Sequence, residues 1–531
     1  MESTPARADD AGTLGSDRAA EAKPAALRHA WLWQPNLIVF LSNACIMVLE
    51  LVAGRIIAPH VGVSLYTWTS IIGVVLAGIS LGNYLGGRLA DRWASLRLLG
   101  GIFLLGGLSS LGILTVDMLG GLTPGEWSII VEILVLTTAL FFVPCVILGT
   151  ISPVVAKLAV HDLTKTGSTV GTIYAAGTLG SIVGTFATGF LLISLFGTHT
   201  IIWGVAVLLV ALGLVFLLGG RWKWMLLSAL ILAGASVQAS SQGWLRGLCT
   251  RETNYFCIRV DEEERDGEPV LVLTLDRLVH SYTSLNDPTK LVYTYEKMYA
   301  QVTAYRAKED HHLRALFIGG GGYTFPGYME AVYPGSDIHV IEIDPGVTQV
   351  AHDMLGLSRD TWVVTFNEDA RLFLEREPTE AYDLILGDAF NDFSVPYHLT
   401  TKEFNDRVSA WLEDDGLYCV NIIDGHRGDF LRAYTHTLRQ TFRHVYLAPT
   451  MESWHKVARS TFVLIGSNAP LDLATLETIN AGNSEPVLAR QMLSEDGMNA
   501  LLTEGPVVTL TDQYAPVDQM LAPVFRGEEP S

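Results

Sequence analysis

The sequence predicts an α-helical membrane domain of several spans fused to an α/β domain, with a small β-rich subdomain between them. Its mean hydropathy is +0.32, and 49% of its 531 residues are hydrophobic whereas only 17% are charged. Such a composition is typical of chains with membrane spans. The charges are unevenly divided, because residues 35–241 carry 6 acidic and 8 basic side chains, whereas residues 242–531 carry 44 and 23. The formal net charge of −20 therefore belongs almost entirely to a soluble second half.

The acidic character of the second half limits the partners it can bind. Nucleic acids are excluded, because their phosphates need a basic surface. Cationic small molecules are permitted as substrates, although charge alone does not select them. No metal is expected, since the adjacent residues His311 and His312 lack the ligand spacing of a zinc site.

The first half begins with residues 1–34, which are rich in Ala, Asp, Glu, Arg and Ser and are expected to form a disordered leader. Residues 35–241 then contain seven apolar runs, most of them close to the ~20 residues that span a bilayer as a helix. The runs lie near residues 37–58, 66–88, 98–118, 128–150, 170–195, 199–219 and 224–240. We therefore expect a transmembrane domain of about seven helices that has the lipid bilayer as its partner.

The number of spans decides on which side of the membrane the second half lies. Lys and Arg fall in alternate connections, which the positive-inside rule places in the cytoplasm. These residues are Arg88, Arg92, Arg97, Lys157, Lys165, Arg221 and Lys223. Seven spans would put the second half outside the cytoplasm, whereas six would leave it inside if the short run Met225–Ala239 is an interfacial helix. A disulfide between Cys249 and Cys257 would require an oxidising compartment, and two free thiols are the alternative.

Small residues recur every four positions in two of the apolar runs, which favours close packing of helix backbones over a substrate path. They are Gly78, Gly82 and Gly86 in one run and Ala176, Gly180 and Gly184 in another. Glu50 lies inside an apolar run, where a charge needs a partner or a function. Arg55 is a candidate partner, and a site for a cationic or lipid-like ligand is the alternative.

The second half begins with a β-rich subdomain and a helix over residues 250–310. The subdomain has three short strands, and the polar turn Asp261–Glu268 separates the first from the second. The strands are expected at Tyr255–Val260, Val270–Leu275 and Leu278–Tyr282, and the helix at Lys290–Lys308. Strands then alternate with helices, which indicates a doubly wound, Rossmann-like α/β domain over residues 311–531. Its first elements are expected at Leu313–Ile318, Tyr328–Tyr333, Asp337–Ile343, Trp362–Phe366 and Tyr382–Gly387.

Glycines and acidic residues follow these strands at the edge where α/β sheets bind ligands. Gly319, Gly320, Gly321 and Gly322 form a turn whose backbone amides can approach a ligand. Glu342, Asp369 and Asp388 end the next three strands, and an acidic residue at the first of these positions accepts ribose hydroxyls in such folds. Each acidic residue alone has a helix N-cap as its alternative interpretation. The absence of Gly-Lys-Ser/Thr excludes a P-loop, and a carboxylate-lined pocket suits an adenosyl-sulfonium ligand better than a diphosphate.

Several motifs together resemble those of a known family. They are Gly319–Gly322, the run Val340–Asp344 before Pro345, Asn367–Arg371 and Tyr382–Asp388. These resemble the spermidine synthases, the polyamine aminopropyltransferases. The run from Asp388 through Pro396 and His398 to Glu403, and Thr511–Pro516, resemble a bacterial membrane-fused branch. The resemblance covers about residues 250–520 and implies an S-adenosylmethionine-methyltransferase-like fold in an integral protein of the bacterial inner membrane, with a homodimer as an option.

The resemblance also implies a reaction and a set of site residues. An aminopropyl group would pass from decarboxylated S-adenosylmethionine to a diamine such as putrescine, giving spermidine and methylthioadenosine. Gly319–Gly322, Glu342, Asp369 and Ala370 would bind the donor. Asp388 would position or deprotonate the attacking amine, assisted by Tyr295 and Asp392. His280, Tyr295, Asp392 and His398 would bind the acceptor.

The chain departs from the family pattern at positions that concern both substrates. Gly322 and Tyr323 stand where the family has an Asp that holds the amino group of the donor, His280 replaces a Gln, and Lys297 replaces a Glu. Three hypotheses therefore remain: a membrane-bound aminopropyltransferase, an S-adenosylmethionine-dependent methyltransferase or other transferase acting on a membrane-associated acceptor, and a polyamine transporter or sensor with a catalytically silent synthase-like domain.

Overall fold

The computed structural model of the protein describes eight stretches of the chain. They are residues 34–116, 127–160, 162–219, 222–265, 267–308, 312–389, 395–479 and 487–526. Residues 1–33 of the predicted leader lie outside the described residues, and so does Asp392.

The first half contains seven helices that are long and apolar enough to cross a membrane, in agreement with the seven apolar runs. We number them α1 (Pro35–Val61), α2 (Leu65–Trp93), α3 (Leu96–Thr115), α4 (Ile129–Ala159), α5 (Leu163–Leu195), α6 (Thr198–Leu218) and α7 (Lys223–Ser241). The seventh, whose run looked short in the sequence, is a helix of 19 residues.

The small-residue positions allow close contacts between helices, as the sequence indicates. A Cβ atom added at Gly82 of α2 would lie 2.3 Å from the carbonyl O of Val146 in α4. One added at Gly180 of α5 would lie 2.1 Å from the carbonyl O of Phe40 in α1. Only a residue without a side chain fits at such distances, so these two glycines set how closely α2 approaches α4 and α5 approaches α1.

The two halves of the molecule touch where α1 ends and α6 begins. Arg55 donates from Nη1 to the carbonyl O of Asn254 at 2.8 Å, and from Nη2 to that of Thr253. The backbone N–H of Thr198 donates to Glu252 Oε2 at 2.8 Å. These contacts replace the pairing of Arg55 with Glu50 that the sequence suggested, because residues five apart do not face each other on a helix.

A four-stranded antiparallel sheet follows the last long helix. Its strands lie in the order β1 (Arg251–Glu252), β2 (Cys257–Arg265), β3 (Glu268–Leu275) and β4 (Leu278–Thr283). A disulfide joins Cys249 to Cys257 at the start of this sheet. The predicted turn Asp261–Glu268 is wrong over most of its length, since Asp261 to Arg265 pair with β3. Their side chains are exposed, so charge is tolerated while the backbone forms the ladder.

The second sheet has seven strands in the order β10-β11-β9-β8-β5-β6-β7. The strands are β5 (Arg314–Ile318), β6 (Asp337–Ile341), β7 (Val364–Phe366), β8 (Tyr382–Gly387), β9 (Leu412–Asp424), β10 (His444–Pro449) and β11 (Ser460–Ser467). Strands β5 to β9 pair in parallel, and β11 pairs antiparallel to both β9 and β10. Because β5 lies between β6 and β8, the strand order reverses there, at the position where doubly wound folds bind ligands.

Helices cover this sheet and complete the Rossmann-like half. They are α8 (Thr294–Arg306), α9 (Thr324–Val332), α10 (Pro345–Asp353), α11 (Ala370–Leu374), α12 (Lys402–Ala410), α13 (Asp429–Leu438), α14 (Leu473–Ile479), α15 (Leu488–Gln491), α16 (Glu495–Thr503), α17 (Val517–Met520) and α18 (Ala522–Arg526). Helix α8 begins four residues later than predicted, at the point where the side chain of Glu296 accepts from the backbone N–H of Tyr293. Helix α9 begins four residues earlier, directly after the glycine turn.

Candidate active site

The carboxyl ends of β5, β6, β7 and β8 meet around a cavity of about 260 Å³, which we call the strand-end cavity. Most of the donor-binding, catalytic and acceptor-binding residues that the resemblance implied line it. They are Gly319, Gly321, Glu342, Asp369, Ala370, Asp388, His280 and His398. The parallel strands account for this convergence, since each places the residue after its last hydrogen bond at the same edge.

The glycine turn brings the backbone against β8. Gly319 has a φ of +98°, and a Cβ there would lie 2.6 Å from the carbonyl O of Asp388. Gly321 also has a positive φ, +48°. Side chains rarely adopt such conformations, so the turn needs glycine at both positions.

Glu342 forms the floor of the cavity and is 6% exposed. Its two carboxylate oxygens accept hydrogen bonds from backbone N–H groups, Oε2 from Gly320 at 2.8 Å and Oε1 from Asp344 at 2.9 Å. Burial raises the pKa of Glu342 to about 7, although these hydrogen bonds oppose the rise. The side chain is thus held in one orientation with lone pairs left for a ligand.

The two carboxylate oxygens of Asp369 make different contacts. Its Oδ1 caps α11 by accepting from the backbone N–H of Arg371 at 2.8 Å and of Leu372 at 3.3 Å. Its Oδ2 lies 3.5 Å from His398 Nε2. The N-cap interpretation of Asp369 is therefore confirmed, and its role in binding a ligand stays a prediction.

The segment that carries His398 is held by the Thr511–Pro516 motif. Arg371 donates from Nη1 to the carbonyl O of His398 at 3.0 Å and to Asp512 Oδ1 at 2.7 Å. Asp512 Oδ1 also accepts from the hydroxyl of Thr401 at 2.7 Å. Asp512 thereby fixes one wall of the strand-end cavity from a distant part of the sequence.

Asp388 lines this cavity, is half-buried, and has a donor on each oxygen. The hydroxyl of Tyr295 donates to Oδ2 at 2.8 Å, and Nδ2 of Asn421 donates to Oδ1 at 2.9 Å. Burial raises the pKa of Asp388 to about 6, against the effect of the two hydrogen bonds, which lower it. A carboxylate with this pKa is a base that works near neutral pH.

Asp388 also lines a smaller cavity, which we call the side recess. His280, Tyr293, Asp388, Asn421, Arg459 and Thr461 line it. Burial, together with the smaller effect of the charge of Arg459, lowers the pKa of His280 to about 4, so the imidazole is neutral at pH 7. His280 and Asp388 also line the strand-end cavity, so the two spaces adjoin.

Glu296 is a second acidic residue beside Tyr295. The sequence analysis considered only its neighbour Lys297, which replaces a Glu of the family pattern. Burial raises the pKa of Glu296 to about 8, and the neighbouring charge of Asp388 raises it as well. Its Oε2 accepts from the backbone N–H of Tyr293 at 3.3 Å. Glu296 is therefore mostly protonated at pH 7 and adds little negative charge beside Asp388.

Tyr323, which replaces the expected Asp, points away from the strand-end cavity. Its hydroxyl lies 3.0 Å from that of Thr348 and 3.1 Å from that of Thr365. Gly322 packs against β4, since a Cβ there would lie 1.9 Å from Ser281 Oγ. Gly320 and Gly322 thus support the turn, while Gly319 and Gly321 face the cavity.

Asn421, Glu296, Arg459 and the cavity-lining pair Tyr255 and Phe256 were not identified from the sequence. Asn421 carried the one available signal, a polar residue inside the apolar strand β9, where a side chain needs a hydrogen-bond partner. Arg459 lies in a loop, and Tyr255, predicted as the start of a strand, lies two residues before β2. Neither position has a pattern that points to this site.

Comparisons with known proteins agree with the resemblance. The chain is 34% identical over 110 residues to a polyamine aminopropyltransferase of Vibrio vulnificus, a match that covers 20% of this chain and 37% of that relative. It is 25% identical over 415 residues to polyamine aminopropyltransferase 2 of Streptomyces coelicolor, covering 72% of each chain. The second match is longer than the chain after Ser241 and so extends into the helical half.

The chain is spermidine synthase-like. It spans only about a third of the length of the first curated relatives that it matches. A probable spermidine synthase from Corynebacterium glutamicum aligns with 49% of this spermidine synthase-like chain and 95% of its own, at 20% identity and a TM-score of 0.43. No family model matches the chain.

Proposed function

We propose that the protein is an aminopropyltransferase that moves an aminopropyl group from decarboxylated S-adenosylmethionine to an amine. The observation that carries this proposal is the position of Asp388, a half-buried carboxylate that lines both the strand-end cavity and the side recess. A donor in the first space and an amine in the second would meet at its oxygens.

The strand-end cavity suits the adenosyl part of the donor. Glu342 is held by two backbone amides and would accept the ribose hydroxyls. Asp369, with Ala370 beside it, would accept from the adenine amino group. The sulfonium carries one positive charge, which the carboxylates of this cavity favour. His398 would cover the bound donor from the segment that Asp512 fixes.

In the proposed reaction, Asp388 is the base that receives a proton from the attacking amine. The lone pair of the neutral amine forms a C–N bond with the propyl carbon attached to sulfur, the C–S bond breaks, and its electron pair stays on the sulfur of methylthioadenosine. The nitrogen then gives a proton to Asp388. Tyr295 and Asn421 hold both carboxylate oxygens, so the base is oriented before the amine arrives. Asp392 remains a prediction as a further carboxylate for the acceptor.

We further propose that the helical half spans a bacterial inner membrane and that the α/β half lies on its non-cytoplasmic face. Arg88, Arg92 and Lys157 lie near the helix ends opposite to those that contact the α/β half, and the positive-inside rule assigns those ends to the cytoplasm. The Cys249–Cys257 disulfide is consistent with an oxidising compartment. Alkaline phosphatase fused after Arg526 is expected to be active in this orientation. An inactive phosphatase fusion, together with fluorescence from a cytoplasmic reporter fused at the same position, would contradict it.

The functional proposal is tested by identifying the nucleoside that the enzyme releases. Purified full-length protein is incubated with decarboxylated S-adenosylmethionine or S-adenosylmethionine, amines that include putrescine, and lipid extract, and the products are analysed by mass spectrometry. Methylthioadenosine that disappears in Asp388→Asn supports the proposal. S-adenosylhomocysteine would indicate a methyltransferase, and bound but unchanged donor would indicate the sensor or transporter hypothesis.

A further inference from the structure

The helical half contains a cavity of about 520 Å³, which we call the helix cavity. Residues of α1, α2, α4 and α5 line it. Its size lies within the range of ~300–1,000 Å³ that is usual for pockets that hold small organic ligands. On α5 the wall extends from Thr166 to Ser181, which corresponds to ~22 Å of helix axis. The helix cavity therefore reaches deep into the bilayer proposed above.

Polar side chains from all four helices line this cavity. They are Asn43 of α1, Asn83 of α2, Ser152 of α4 and Tyr174, Thr178 and Ser181 of α5. Amides and hydroxyls are costly to bury in an apolar medium unless they find hydrogen-bond partners. Within the cavity, Asn43 Nδ2 and Ser152 Oγ make a long contact of 3.5 Å. The other polar side chains have to find their partners in the space that they surround.

Several of these groups have hydrogen-bonding capacity that the protein does not use. Elsewhere in the helical half, hydroxyls donate to their own helix, as Thr137 does at 2.6 Å to the carbonyl O four residues before it. The side chains of Asn83, Thr178 and Ser181 have no hydrogen-bond partner among the described residues. Asn43 donates from Nδ2 to its own helix at 2.9 Å, which leaves its Oδ1 as an acceptor. These groups together offer both donors and acceptors to a ligand.

The charges in the wall of the helix cavity balance each other. Nζ of Lys157 donates to Oδ1 of Asp91 at 2.9 Å. Their side chains are 54% and 72% exposed, so this pair marks the mouth of the cavity. No other charged side chain occurs in the described wall. A charged ligand would lose its hydration there without gaining a counter-ion, so the interior favours an uncharged one.

We propose that the helix cavity binds an uncharged nucleoside. An Asn side chain can pair its C=O and N–H₂ groups with the edge of a base, and Asn43 and Asn83 line the same space. The ring of Tyr174 provides a surface on which a base stacks. The hydroxyls of Thr178 and Ser181 match those of a ribose. In the proposed orientation, the ligand enters from the cytoplasm, because Asp91 and Lys157 lie at those helix ends.

This site lies in the other half of the molecule from Asp388 and goes beyond the proposed transfer reaction. That reaction nevertheless supplies a matched pair of probes. Methylthioadenosine is an uncharged nucleoside, whereas decarboxylated S-adenosylmethionine carries the same adenosyl group together with a positive sulfonium and an ammonium. Spermidine is a polycation without a base. The three compounds therefore separate recognition of the base from recognition of charge.

The test measures protection of a cysteine placed in the wall. Full-length protein with Ala156→Cys, a position that lines the helix cavity, is treated in detergent with N-ethylmaleimide, and mass spectrometry measures alkylation of that peptide. We expect methylthioadenosine to slow alkylation several-fold, and more than the other two compounds do. Thr172→Cys, exposed on α5 outside the wall, is the control and should show no protection. Stronger protection by decarboxylated S-adenosylmethionine or spermidine, or protection by none of the three, would overturn the proposal.

Variants in the Ala156→Cys protein then test individual side chains. Asn83→Leu should raise the half-protecting concentration of methylthioadenosine by about 10- to 100-fold, the range for loss of a bidentate contact with a base. Thr178→Val, which is nearly isosteric, should raise it by about two- to ten-fold and does not depend on how Asn83→Leu folds. Asn499→Leu, exposed on α16, is the matched control. An unchanged concentration in both cavity variants would contradict the assignment.

Two further measurements separate this site from the strand-end cavity. Protection of Ala156→Cys should persist in Glu342→Gln, and its loss there would show that the nucleoside acts from the α/β half. Release of methylthioadenosine from decarboxylated S-adenosylmethionine is measured in parallel. Release without protection refutes the helix-cavity site alone, whereas protection without release refutes the proposed transfer reaction alone.

Discussion

The strand-end cavity and the side recess share Asp388 and His280 but are built in different ways. In the cavity, the oxygens of Glu342 are already bonded to backbone N–H groups that follow from the sheet topology. In the recess, the acceptor on Asn421 and the ring nitrogen of His280 have no partner within the described chain. Backbone N–H groups thus orient the polar side chain of the strand-end cavity, whereas side chains from separate elements form the side recess. Changes in the first should affect donor binding, and changes in the second should affect acceptor choice.

The substitution Asp388→Asn tests the group that both spaces share. Removing a positioned general base costs about 10²- to 10⁴-fold in rate, and we expect a loss of kcat near 10³-fold with every acceptor. Steady-state release of methylthioadenosine measures it. Asp424→Asn is the matched control, since Asp424 is a buried carboxylate at the end of β9 that accepts from backbone N–H groups of Gly425 and Leu431 outside both spaces. Equal losses of kcat in both variants would contradict the assignment of Asp388 as the base.

Glu342→Gln probes the backbone-built cavity alone. The amide has one N–H₂ group facing a backbone donor, so it cannot accept from Gly320, Asp344 and the ribose together. Hydrogen bonds to charged groups account for about 10- to 100-fold in affinity, and the donor KM should rise by this amount with little change in acceptor KM. Asp337→Asn, at the exposed start of the same strand, should leave both values unchanged. A rise confined to the acceptor KM would contradict the division between the two spaces.

The dependence of rate on pH reports on Asp388 directly. Burial raises its pKa to about 6, and the deprotonated form is the active one, so kcat/KM should fall as pH drops through 6. The Tyr295 hydrogen bond lowers this pKa, and Tyr295→Phe should therefore shift the acidic limb to higher pH while reducing the rate several-fold. Glu296, Tyr293 and Arg459 also lie near this carboxylate, and Glu296→Gln identifies any part of the profile that belongs to Glu296. An acidic limb that stays in place in Tyr295→Phe would show that another group titrates.

The smallest effect is expected from Asp512, which acts on the cavity through Arg371 and the segment of His398. Asp512→Asn keeps the shape but weakens a charge-assisted contact, so the donor KM should rise by about two- to five-fold. Asp406→Asn, which loses a surface pair with Lys402, is the control. Susceptibility of the 395–401 segment to proteolysis should increase in Asp512→Asn only. Unchanged proteolysis would argue that the segment is held by other contacts.

The difference between the two spaces also explains how much of the site could be predicted. Glu342, Asp369 and Asp388 each follow a strand whose apolar residues identify it, and parallel strands bring such residues together without further information. The side recess depends on which residue of β9 faces β8 and on where the loop before β11 folds. No local pattern predicts either of these features, and the polar side chain of Asn421 within an apolar strand shows only that it needs a partner, not where that partner lies.

The fold shows the same contrast between periodic and local information. The seven long helices follow from apolar length alone, and their number was predicted. The extent of β2 was not, because the charged residues Asp261 to Arg265 look like a turn and pair only through their backbone. Tyr323 could not be interpreted either, since its contacts with Thr348 and Thr365 join residues from three different elements.

An unbroken path of hydrogen bonds runs from the end of α1 to the floor of the strand-end cavity. Arg55 holds the carbonyl of Thr253, the hydroxyl of Thr253 donates to Asp344 at 2.5 Å, and the backbone N–H of Asp344 donates to Glu342. An excised α/β fragment would lack the guanidinium at the start of this path, so its kinetic constants would describe a relaxed donor site. If α1 spans a bilayer and Glu342 binds the donor, as proposed, this path predicts that the donor KM of the intact chain changes with bilayer thickness.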